Sequence, residues 1–318
     1  MPISDHIGGF IRPGFNPLLV TDAPTIGTAT KGSTNASVAF TAPADIGGSA
    51  IISYTVVSSP GGFIATGAAS PLVVTGLTNG TAYTFTVVAL NKFGPSSASA
   101  TSNSVTPARP LIGDAYEGGY FAGQISTTAN GVATHDLVVA PLATGQVAST
   151  QYSTDNGPTS SGPTSATFLI DGPQNTAIMM SGGTGAPTTY PAGNFCNNLT
   201  IGGHSDWYMA AKNELIVQYF FLKPTTTTNS VGYGANVYAV SPEPSNTGYT
   251  SGTPAQTSAT VFQSGGAEAF SAAQYWSSNQ DEINYSYGWT QWFSNGLQNR
   301  VNMKTYNRSV RAIRRVAV

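Results

Sequence analysis

The chain has a single cysteine, Cys196, so it can form no internal disulfide and no multi-cysteine metal site, and its stability has to come from packing. Charge is equally scarce. Only 8% of the 318 residues are charged, with Lys+Arg 12 against Asp+Glu 14. No broad basic field is available to attract phosphates, which excludes a nucleic-acid partner from the expectations, and the one local excess is the tail "RSVRAIRRV". The three histidines, His6, His135 and His204, are far apart, and H-x-x-x-H, G-x-S-x-G and G-K-[ST] are all missing. Zinc, serine-triad and phosphate-loop chemistry therefore have no sequence support. There is no apolar run of the roughly 18 residues that a membrane-spanning helix needs, so no membrane insertion is expected. The opening "MPISDHIGGFIRPGFNPLLV" lacks the basic and unbroken apolar regions of a signal peptide, and the expectation is a protein made and left in the cytoplasm.

What is abundant is Gly 36, Pro 20, many Ser, Thr and Asn, and 40% hydrophobic residues of which the aromatics make 10% of the chain. That composition forms cores and points to a mostly β protein with long loops. The length exceeds that of one ordinary domain and predicts two.

Residues 1–20 are punctuated by Gly and Pro and too short for a core, which leaves either a disordered terminus or an arm that orders against a partner protein. Residues 21–108 carry short alternating strands, clearest in "SVAFTAP", "AIISYTVVSS" and "TAYTFTVVALN". This spacing predicts a β-sandwich. In the last run Tyr83, Phe85 and Val87 share a face, and Tyr83 begins the strand, where its ring can lie on the core while its hydroxyl bonds nearby backbone.

Residues 109–318 change character, to glycine-rich loops with aromatics. "YEGGYFAGQIS" and "HDLVVAPL" read as two opening strands. "YPAGNFCNNLTIGG" predicts a helix with Ala192, Phe195, Cys196 and Leu199 on one side, making Cys196 a core residue. "HSDWYMAAKNELIVQYFFLKP" predicts a second, with Leu215, Tyr219 and Leu222 on one stripe and Pro224 beyond its end.

"LTNGTAYTFTVVALNKFGPSSAS" resembles the fibronectin type III family, with Leu77, Tyr83, Asn91 and Gly94 at the family's positions and Phe40 where the family often has tryptophan. Without an "RGD" the resemblance implies a spacer or brace for its neighbour. The later order "GGHSDWYMAAKNEL", "YWSSN", "GWTQWFSNG", "VRAIRRV" resembles the bacterial and phage domains of C-type lectin-like fold. That resemblance implies an α+β domain with two helices and long loops, first and last strands that pair, so that "VRAIRRV" returns beside "YFAGQIS", and one exposed loop face. Calcium-dependent sugar binders of the fold carry Glu-Pro-Asn and Trp-Asn-Asp triplets. Here "PEPSN" (residues 242–246) inserts a serine and "WSSN" (residues 276–279) replaces the second, so no cofactor is expected, with calcium as the alternative.

Alternation sets Trp289, Gln291 and Phe293 against Thr290, Trp292 and Ser294. The family pattern puts Trp289, Phe293 and Trp276 inside, leaving Trp292 on a polar face where a large aromatic can stack on a sugar or a partner side chain. Around it, Asn279, Asn284, Tyr285, Tyr287, Thr290, Asn299, Arg300, Asn302, Lys304 and Tyr306 have the composition of an antibody paratope. Asp281 and Glu282 are adjacent and read either as a solvated patch or as acid and base in a sugar cleft. The resulting expectation is a non-enzymatic bacteriophage virion protein of tail-fibre or tail-tip type. It would bind a host-surface glycan or protein through the lectin-like domain and other virion proteins through the arm, in a possible homo-oligomer. The alternatives are a capsid decoration protein and a glycan-active enzyme.

Overall fold

Short strand-forming runs broken by glycine turns recur in both halves of the chain, and among the described residues strand outweighs helix in each. The computed structural model describes residues 19–154, 168–181, 189–243 and 247–318. Nearly all of the N-terminal arm and residues 244–246 of "PEPSN" lie outside the described residues. The chain divides into two compact units, Met1–Arg109 and Pro110–Val318.

In the first unit, β1 (Thr25–Lys31), β2 (Asn35–Thr41), β3 (Ile51–Ser59), β4 (Ile64–Gly67), β5 (Leu72–Thr75), β6 (Thr84–Asn91) and β7 (Gly94–Pro95) form two sheets, β1-β2-β5 and β4-β3-β6-β7. The period-two pattern in β6 buries Phe85, Val87 and Ala89, and these meet Val38 and Phe40 of β2 and Val56 of β3 in one core. Tyr83 is buried, and its hydroxyl accepts the Thr78 N–H at 3.1 Å, as its position at the strand start predicts. The serine-rich stretch after β7 is less obvious from sequence. Ser96, Ser99 and Ser102 donate their N–H groups to the carbonyls of Ala89, Val87 and Phe85, and their hydroxyls accept the N–H groups of the same three residues. A repeat of three, as in a polyproline II chain, thus runs beside a repeat of two and completes that edge of the sandwich.

The second unit is built around its last strand, β16 (Asn307–Ala317). With β8 (Ala115–Tyr116), β9 (Gly119–Ile125), β10 (His135–Val139), β13 (Gln274–Gln280), β14 (Tyr287–Trp292) and β15 (Gln298–Met303) it gives the order β15-β14-β13-β16-β10-β9-β8. β11 (Gln146–Gln151) and β12 (Tyr208–Met209) also pair with β16. The terminal strand does not return beside "YFAGQIS". It pairs antiparallel with β10, His135 opposite Ala317 through Val139 opposite Ile313, and β9 lies one strand further out. β8 occupies the other edge of β9, so the open edge of the β9–β10 hairpin is that of β10, and β16 takes it.

Four α-helical segments are described in this unit: α1 (Leu142–Gly145), α2 (Gly172–Ser181), α3 (Pro191–Asn197) and α4 (Lys212–Leu222). The sequence pattern anticipates only the last two. α3 begins on Pro191 and buries Ala192 and Cys196, as expected. α4 departs from the expected single stripe. Glu214, Leu215, Ile216, Val217, Gln218, Tyr219 and Leu222 are all buried, so it is covered on every side. Its apolar side packs with Phe262, Phe270, Tyr275, Phe293 and Ile313.

The arginines of the closing strand are spent internally. Arg311 pairs with Glu268 at 2.5 Å, Arg314 with Asp206 at 2.8 Å and Arg315 with Glu214 at 2.7 Å. Three of the four arginines of the basic cluster are therefore ion-paired within the protein, and the fourth, Arg308, donates to Asn302. Glu214 is fully buried. It accepts the Tyr208 hydroxyl at 2.7 Å and the Ala211 N–H at 2.7 Å besides the Arg315 guanidinium, so the "DWY", "NEL" and "VRAIRR" motifs meet at one carboxylate.

Candidate binding groove

β13, β14 and β15 form consecutive antiparallel pairs at one end of the sheet order, leaving β15 as an edge. The β14–β15 pairing is not regular. Gly288 faces Asn302 but Thr290 faces Asn299, so the stretch from Asn299 to Asn302 carries one residue more than the stretch it opposes, and Trp289 stands against Arg300 and Val301. Such a bulge twists the pair locally and re-aims side chains. Trp289, which the family resemblance puts inside, is half-buried, whereas Trp276 and Phe293 are buried as that resemblance implies.

One side of the indole is covered by α4. The Lys212 ammonium lies 4.0 Å from the Trp289 ring centre, within cation–π range. Its position is set from behind, because the Lys212 N–H donates to Asn279 Oδ1 at 2.7 Å while Asn279 Nδ2 donates to the Phe168 carbonyl at 3.0 Å. Burial lowers the Lys212 pKa, and the charge of Glu282 pulls it partly back.

Lys212 and Trp289 form part of an open groove of about 440 Å³, completed by residues 232–235 on one side and by Gln298, Asn299, Arg300 and Val301 on the other. The loop wall is anchored. Tyr249 N–H donates to the Tyr233 carbonyl at 2.5 Å, and Gly234 has φ +80 with its open side against the Tyr249 ring, so a side chain there would be strained and would collide. Tyr233 itself stays exposed. The opposite wall carries Arg300, whose Nε lies 3.9 Å from Asp281. Asp281 is buried and turned to its own loop, with Oδ1 accepting the N–H groups of Ile283 and Asn284.

The expected binding residues divide into three groups. Asn284, Tyr285, Arg300 and Tyr306 are exposed, and Tyr287, Trp292 and Asn299 are half-buried; of these seven, Asn299 and Arg300 line the groove. Asn279, Thr290, Asn302 and Lys304 are buried and do not belong to an exposed face. Their polarity is used inside. Asn302 Nδ2 donates to Thr290 Oγ1 at 2.8 Å, Arg308 donates to Asn302 Oδ1 at 3.1 Å, and the Lys304 ammonium lies 5.9 Å from the Tyr152 ring. Sequence reading missed Lys212, Tyr233 and the groove role of Trp289. One signal was available for Lys212: a lysine at the first position of a helix opposes the helix dipole, an unfavourable choice unless the cation serves something else.

Glu282 is exposed and Asp281 buried in its turn, so they do not face each other across a cleft. Cys196 is fully buried and its thiol pKa is pushed up by desolvation. Among the described residues no cluster of His, Cys, Asp and Glu is placed to hold a metal ion, and no helix is long and apolar enough to cross a membrane. The calcium alternative rests partly on residues 244–246, outside the described residues.

Residues 22–105 match the model of the fibronectin type III domain. Among solved structures, a three-domain segment of titin is 28% identical over 28% of this chain and 33% of that one, with a TM-score of 0.27. The twitchin kinase region of C. elegans is 23% identical over 29% of this chain and 18% of that one (TM-score 0.26), and a human fibronectin type III domain is 20% identical over 36% and 100% (TM-score 0.26). The chain spans a third or less of the titin and twitchin structures. No curated protein matches the chain.

Proposed function

We propose that the protein is a non-catalytic binding protein in which a fibronectin type III module carries a C-type lectin-like domain that holds a host-surface ligand in the groove between residues 232–235 and β15. The observation that carries the reading is the groove itself: a partly open indole, an exposed tyrosine, amides and two cations converge on a rigid wall. Aromatic area with adaptable amides suits recognition of a sugar or a peptide surface. The lectin-like assignment is supported by the closing strand joining the opening hairpin and by the meeting of three motifs at Glu214. In this reading the chain belongs to a bacteriophage particle, as the order of those motifs suggests.

The test is binding of the full chain to host cells and to their extracted surface polysaccharide, with Trp289→Ala and Trp292→Ala alongside. Loss on the order of 2 kcal/mol or more for Trp289→Ala, as for a central aromatic anchor, with a smaller loss for Trp292→Ala, supports the groove. Wild-type binding by Trp289→Ala removes it.

A further inference from the structure

The cations of the second unit are almost all used up. Lys223 donates to the carbonyls of Thr227 and Pro254, Arg308 to Asn302 and Asn307, and Arg311, Arg314 and Arg315 bind Glu268, Asp206 and Glu214. Lys304 is buried. Two cations remain, Lys212 and Arg300, and both line the same groove. In a chain with 8% charged residues this coincidence needs a reason.

Neither cation is well compensated among the described residues. The half-buried Lys212 ammonium lies on the Trp289 ring, and Glu282, the acid nearest in effect, is exposed to solvent. Arg300 meets Asp281 Oδ2 only through Nε and only at 3.9 Å, beyond hydrogen-bond distance, while Asp281 Oδ1 accepts two N–H groups of its own loop. Among the described residues no carboxylate lines the groove. Its volume of about 440 Å³ lies toward the small end of ligand sites, roughly 300–1,000 Å³, the size of a short saccharide segment.

Resting on the binding role proposed above, we infer that the groove selects an acidic saccharide, whose carboxylate answers Lys212 and Arg300 and whose apolar ring face lies against Trp289 and Tyr233. A carboxylate is matched by a forked guanidinium and by an ammonium, and both pairings strengthen in a partly desolvated groove. A neutral sugar leaves the two cations as they are.

The experiment measures affinities of the full chain for a panel of uronate-bearing oligosaccharides, each beside its own methyl ester, which keeps the sugar and removes the charge. Oligogalacturonate and oligoglucuronate are included. The expected result is at least one acid bound about tenfold more tightly than its ester, with Arg300→Gln and Lys212→Gln each cutting acid binding severalfold more than ester binding. Arg300 is exposed, so Arg300→Gln keeps the test sound if Lys212→Gln unfolds. Acids bound no better than their esters, or acids bound equally by Arg300→Gln, overturn the inference. If Trp289→Ala still abolishes cell binding in that case, the groove remains the site and takes a neutral ligand. Loss of neither saccharide nor cell binding in Trp289→Ala overturns both.

Discussion

The ammonium of Lys212 sits 4.0 Å from the centre of the Trp289 indole, joining the first residue of α4 to a bulge between β14 and β15. The contact places a cation and an aromatic face at the mouth of one groove. Each partner has a separate support, Asn279 behind the lysine and the extra residue of β15 behind the tryptophan.

All four tryptophans lie in the second unit, and Trp207 and Trp276 are buried. Quenching by acrylamide is expected to reach mainly Trp289 and Trp292 in the folded protein. Trp289→Phe removes about half of the readily quenched emission. An unchanged quenchable fraction means that Trp289 is shielded and the groove is closed.

Removing Arg315 leaves the fully buried Glu214 carboxylate without its cation. Breaking a buried pair on one side costs about 3–5 kcal/mol, and Arg315→Ala is expected to lower stability of the second unit by that order. Urea unfolding followed by tryptophan emission reads this unit alone. Arg308→Ala, whose partner Asn302 is uncharged, is expected to cost clearly less. Equal losses would deny the Glu214 junction its structural role.

How far could these features be read from the sequence? The fibronectin type III strands were legible because each has one buried and one open face, so Phe85 and Val87 alternate with threonine and valine that stay half-exposed. β13 breaks that rule. All of "QYWSSNQ" is buried, because both faces of the strand are covered, and its polar residues are satisfied internally, Ser278 by Asn175 and Asn279 by Lys212 and Phe168. Polarity there looked like an exposed face and was an internal hydrogen-bond set. Trp289 was missed for a different reason, since a buried indole presumes a partner strand in regular register, and the extra residue of β15 lies opposite it. Residues 232–235 gave no pattern at all, as their place depends on a contact with Tyr249.

Ser99 tests the three-residue repeat beside β6. Ser99→Ala strips the buried Val87 N–H of its hydroxyl acceptor, and an unsatisfied buried donor costs about 1–3 kcal/mol. Ser97→Ala, one of the serines outside the repeat and exposed, is expected to leave stability within about 0.5 kcal/mol. Hydrogen exchange at Val87 reports the same opening directly. Slow exchange retained in Ser99→Ala would show that the hydroxyl is dispensable.

Among the described residues the Glu243 carboxylate accepts one hydrogen bond, from Asn236 Nδ2 at 3.0 Å, and its other oxygen is buried with no partner. Burial pushes its pKa from the ordinary 4.5 up to about 8. The folded state therefore keeps the proton where the unfolded chain has already lost it. This group's contribution to stability is full below about pH 4.5 and is lost as pH rises to about 8, at roughly 1.4 kcal/mol per pH unit within that window. Glu243→Gln is expected to flatten that part of the profile, measured by unfolding at successive pH values. A parallel wild-type and variant profile would mean that Glu243 is ionised in the fold.

The most direct test is the effect of Trp289→Ala on binding of the full chain to host cells. The account predicts at least a thirtyfold loss, about 2 kcal/mol, with folding intact and Trp292→Ala less affected. Undiminished binding by a folded Trp289→Ala protein would contradict it.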